Sequence, residues 1–84
     1  MNPWPQRHID GFEVMCEVVS LDAGALAIEV SVSRPGETDF QQRWPLPRFV
    51  TFVDAGVARR HAELVLSGIV SVDPATGEPR YGIL

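Results

Sequence analysis

Few side chains in this 84-residue chain are equipped for chemistry, and their spacing is poor for catalysis. Cys16 is the only cysteine, so neither an internal disulfide nor a thiolate metal cluster can form within one chain. It stands among apolar residues, where cysteine behaves as a small buried hydrophobe. His8 falls in an N-terminal stretch with little pattern, and His61 flanks the apolar stripe of a predicted helix. In His61-Ala62-Glu63 the two polar side chains project about 200° apart on a helix, which is no metal-ligand spacing. Serines 20, 31, 33, 67 and 71 lack a Gly-x-Ser-x-Gly context. The glycines are scattered singly through turns and form no phosphate-cradling loop. All seven basic residues are arginine, which removes Schiff-base and lysine-base chemistry. No catalytic residue, cofactor site or metal site is expected, and the chain reads as a non-enzyme.

The remaining chemistry is that of recognition. Glu17 and Glu29 are predicted to face each other on two strands, beside Met15 and Val19, on the side of the sheet that the helix leaves open. These four residues are the candidate protein interface. Arg48, Arg59 and Arg60 gather near the start and outer surface of the helix and are the candidate nucleic-acid contacts. The net charge of −4 and the acidic sheet face disfavour nucleic acid, since a single-strand platform needs exposed aromatics framed by positive charge. Glu63, one turn beyond Arg59, also partly neutralises it.

These residues must be positioned by an α+β fold. The stretch Val53 to Gly68 is the one good helix, with Asp54 as N-cap and Gly68 as the permissive residue that ends it. Ala55, Ala58, Ala62, Val65, Leu66 and Ile69 fall along its apolar stripe. Phe12, Val14, Cys16 and Val18 alternate with Glu13, Met15, Glu17 and Val19, and Leu26, Ile28, Val30 and Val32 alternate with Ala27, Glu29, Ser31 and Ser33. Keeping both apolar sets on one face pairs Val18 with Ile28 and Cys16 with Val30, and it sets Glu17 against Glu29. A third strand, Phe40 to Leu46, places Arg34 opposite Phe40, Trp44 opposite Val30, Leu46 opposite Ile28 and Arg43 diagonal to Glu29. Gln42 then lands on the core side. Pro45 and Pro47 mark this strand as an edge or as ending there, and Phe49 to Phe52 lead into the helix cap as a short continuation. After the helix, Ile69 to Val72 and residues from Arg80 on flank the turn Asp73 to Pro79. The expected architecture is a three-stranded antiparallel meander with one helix on one face and a short C-terminal strand or hairpin. Residues 1–8 are read as a segment that is loose or docked only by Trp4, and 9–84 as a single domain.

At 45% hydrophobic and 21% charged the composition is that of an ordinary folded domain. No signal-like or membrane-spanning apolar run is present, so a cytoplasmic protein without a membrane partner is expected. A free sheet face and free edges point to self-association as a homodimer, or to an unidentified protein partner.

The segment Leu46-Pro47-Arg48-Phe49-Val50-Thr51-Phe52-Val53-Asp54 resembles the Leu-Pro-Gly-Cys-x-Thr stretch of HicB-type antitoxin domains. In that family the stretch leads from a short meander into a helix, as the order of elements does here. Arg48 and Phe49 stand where the family has Gly-Cys. The resemblance implies a relative of double-stranded-RNA-binding folds whose members neutralise a small messenger-RNA-cleaving toxin, and with it a bacterial, antitoxin-like regulator.

Overall fold

A computed structural model of the chain describes residues 4–46 and 50–82, with backbone alone at 37–39. Its elements run β1 (Gln6–Ile9), β2 (Phe12–Ser20), β3 (Leu26–Arg34), β4 (Glu37–Pro45), α1 (Ala55–Gly68), β5 (Ile69–Val72) and β6 (Pro79–Tyr81). The fold is α+β. The main sheet is antiparallel in the order β1-β2-β3-β4, so it holds four strands where the sequence pattern predicted three, and β5-β6 is a separate hairpin. The extra strand takes up Gln6 to His8 of the segment expected to be loose. Ile9 pairs with Phe12 across Asp10-Gly11, both of which adopt positive φ (53° and 84°). That is the backbone of a two-residue hairpin turn, for which Asp-Gly is a preferred pair.

Between β2 and β3 the register is the one the alternation requires. Cys16 pairs with Val30, Val18 with Ile28, and Glu17 with Glu29. Between β3 and β4, Val30 meets Trp44 and Ser31 meets Arg43 as expected, but the ladder shifts between Ser33 and Arg34. Arg34 therefore pairs with Glu37 rather than Phe40. The bulge absorbs the extra residues of a longer β4 while keeping Trp44 on the core face. Phe52 rejoins the sheet at Leu26, each amide donating to the other's carbonyl at 2.8 Å.

Asp54 caps α1 by accepting from the Val57 amide at 2.9 Å. Ala58, Ala62 and Leu66 are buried against the sheet, Val65 is half-buried, and Ala55 at the frayed start is exposed. The two alanines have no exposed surface, which lets the helix backbone sit close to β2 and β3. Val14, Cys16, Val30 and Val32 are likewise fully buried beneath it, each aliphatic side chain contributing about 1.5–3 kcal/mol by leaving water. Gly68 ends the helix differently from the expectation. It is not among the positive-φ glycines, and the chain passes directly into β5 with Ile69 extended (φ −76°, ψ 121°). Arg7, from β1, donates to the Leu66 and Ile69 carbonyls at 2.8 and 3.2 Å, satisfying the helix end and placing a cation at its negative pole.

The C-terminal hairpin covers the part of the core that α1 does not reach. Ile69 and Val72 are buried in the common core, with Tyr81 packed against it. The Val72 amide donates to the Asp10 carboxylate at 2.9 Å, and the Arg34 guanidinium lies over the Phe12 and Phe40 rings (5.0 and 4.8 Å) within 3.4 Å of the Pro74 carbonyl. Gln42 does stand opposite buried Val32, yet it is exposed and runs beside the hairpin turn at Gly77.

Candidate functional site

The four candidate interface residues share the sheet face turned away from α1. Met15 pairs with Ser31, Glu17 with Glu29, and Val19 with Ala27, making three successive rows across β2 and β3. Met15, Glu17, Val19 and Glu29 are each half-buried, while Ala27 and Ser31 in the middle of the face are 7% and 5% exposed. The face is thus low along β3 and higher along its flanks.

Its electrostatics centre on the Glu17–Glu29 row. Two like charges directly opposite on a ladder repel. Arg43, on β4, donates to Glu29 Oε1 at 2.9 Å and relieves that repulsion. The guanidinium is held above its ordinary pKa first by this bond and then by the fields of Glu17 and Glu29. At the β1 side exposed His8 lies 4.0 Å from half-buried Glu13. Among described residues the face carries Glu13, Glu17 and Glu29 against Arg43, so it is acidic.

Val19 and Ala27 also line an apolar groove of about 120 Å³, together with Leu21, Ile28, Glu29, Pro45, Leu46 and Val50. Sequence reasoning missed Leu21, Pro45 and Val50 here. Pro45 closes β4 and Val50 precedes α1, and the Leu26–Phe52 pairing holds the chain at Phe52 beside β3.

The arginine candidates do not form one patch among the described residues. Arg48 lies outside them. Arg59 sits over the Trp4 ring at 5.6 Å, fastening the N-terminal segment to the helix. Arg60 is exposed on the outer surface of α1, where Val57 and Leu64 are 45% and 67% exposed.

Elsewhere the polar groups serve the fold. Burial pushes the Cys16 thiol up to about 12, so at neutral pH it is a protonated core side chain rather than a nucleophile. Burial, with a smaller contribution from Cys16, raises Tyr81 to about 12. His61 packs against the Phe52 ring at 5.2 Å. Asp73 organises the hairpin turn, accepting from the Ala75 and Thr76 amides and pairing with Arg80 at 2.9 Å; these contacts, the Ala75 amide foremost, hold its carboxyl below the ordinary value. No group of three or more His, Cys, Asp or Glu among the described residues is placed to hold a metal ion. No described helix is long and apolar enough to cross a membrane.

Neither a protein-family model, nor a curated protein, nor a solved structure matches this chain.

Proposed function

We propose that this chain is a non-enzymatic protein–protein interaction module that binds through the outer face of its β2-β3-β4 sheet. The observation that carries the reading is the asymmetry of the sheet. Among the described residues one face is closed by α1 and the C-terminal hairpin, while the other carries Val19 beside an apolar groove and Met15 on the far side of the Glu17–Glu29 row. An apolar groove flanked by charged side chains is what a partner covers. The recognition residues in this reading are Met15 and Val19 as apolar contacts, with Glu17 and Glu29 supplying charge selectivity.

A nucleic-acid-associated or antitoxin-like regulator is the weaker alternative. It would draw on Arg48, Arg59 and Arg60, yet Arg59 is engaged with Trp4, and the described outer-face residues include no phenyl, phenol or indole ring for base stacking.

The test is co-purification of the tagged chain from its own host after nuclease treatment, comparing the natural sequence with Met15→Glu. A stoichiometric protein, or a second copy, retained by the natural chain and lost with Met15→Glu is the expected result. Material that disappears on nuclease treatment, or a partner indifferent to Met15→Glu, overturns the reading.

A further inference from the structure

The charge on the outer face restricts what can cover it. A two-fold pairing of this face with itself, centred on the Glu17–Glu29 row, gathers four carboxylates against two Arg43 guanidinium groups. A partner that brings an apolar ridge with a cation beside it avoids that cost, and such a ridge is present on this same chain, with Glu63 about 60° around the helix from Arg60. Val57 and Leu64 lie about 20° apart around α1, on the side opposite Ala58, Ala62 and Leu66, with Arg60 between them along the axis and about 40° from Leu64 around it. Both valine and leucine are exposed there, and Val53 just before the helix is 92% exposed.

We propose that α1 of one copy docks on the outer sheet face of another, Leu64 entering the groove beside Val19 and Ala27 and Arg60 meeting Glu17 and Glu29. The proposal rests on the outer face being a binding surface and names its occupant. The spacing matches. Arg60 and Leu64 are separated by about 6 Å along a helix, and the Glu17–Glu29 row lies about 6.6 Å along the strands from the Val19–Ala27 row. A helix laid on a sheet is also the packing that the inner face already uses. Because the two surfaces differ, the contact is head-to-tail and leaves one of each unoccupied at the ends, so the assembly grows with concentration unless it closes into a ring.

The experiment is light scattering or sedimentation of the natural chain, of Leu64→Glu and of Val19→Glu, from about 10 μM to about 1 mM, the range of weak specific interfaces. The natural chain is expected to exceed dimer mass as concentration rises, and each variant alone to remain a single chain. An equal mixture of the two variants retains one good ridge and one good face, and it is expected to form a two-chain particle and nothing larger. A natural chain that stays single, or a mixture that stays single, overturns the proposal. If Val19→Glu abolishes association while Leu64→Glu does not, the face reading stands and the helix is the wrong occupant. If Leu64→Glu abolishes it while Val19→Glu does not, both readings fail. Circular dichroism checks that the variants fold. Arg60→Glu, at an exposed helix position, serves as a substitution that leaves packing alone; it is expected to weaken association about tenfold, and unchanged association counts against the contact.

Discussion

Cys16 and Tyr81 show how little of a side chain's chemistry follows from its type. Both are ionisable, and the field of Cys16 reaches Tyr81 in the core. Burial raises the thiol from 9.0 and the phenol from 10.0 to about 12 each. A folded-state value above the unfolded one favours the protonated form, so the stability it brings is complete below the unfolded value and is lost as pH rises through the folded one. Unfolding by urea should therefore become easier between about pH 9 and pH 12, and Cys16→Ala should flatten that dependence. At pH 8 the thiol should react with a disulfide reagent at least about a thousandfold more slowly than a free cysteine, the open fraction expected at about 4 kcal/mol of stability. Rapid labelling of the native chain would show that Cys16 is accessible after all.

At the scale of elements, the β1–β2 hairpin and the Glu17–Glu29 row show different degrees of legibility. Asp10-Gly11 was a usable turn signal in the sequence, but Gln6 to Ile9 is too short and too polar to alternate convincingly, and three of its four residues are exposed. Pairing with β2 makes it a strand; its own pattern does not. The Glu17–Glu29 pairing, by contrast, follows from period-two alternation alone, and so does the placement of Arg43 beside it. Arg43→Ala leaves the two carboxylates unrelieved. The variant is expected to melt below the natural chain at low salt. The gap should shrink several-fold toward 1 M salt, where the Debye length is about 3 Å. A gap independent of salt would mean that Arg43 contributes by packing rather than by charge.

For the whole molecule, the decisive event is the closure of the C-terminal hairpin over the exposed end of the core. Gly77, buried in the hairpin turn with φ 78°, is crowded: a Cβ there would meet the Phe40 ring at 3.0 Å and push it aside. Gly77→Ala combines an unfavourable backbone with that clash, and a loss of about 1–2 kcal/mol in urea unfolding is expected. An unchanged midpoint would show that the hairpin is not seated on β4. Among the described residues the same closure occupies the core side of the sheet, so recognition is assigned to the outer face.

Periodicity and capping by themselves determined the helix from Asp54 on, the β2–β3 register, the Val30–Trp44 and Ser31–Arg43 pairings, and the membership of Met15, Glu17, Val19 and Glu29 in one face. These are local or nearest-neighbour consequences of a 3.6-residue and a two-residue repeat. The tertiary structure decided the fourth strand, the bulge at Ser33–Arg34, the capture of Arg59 by Trp4, and the groove that joins Val19 to Pro45 and Val50. Each of these depends on residues far apart in the chain meeting, and no repeat within a single segment encodes such a meeting.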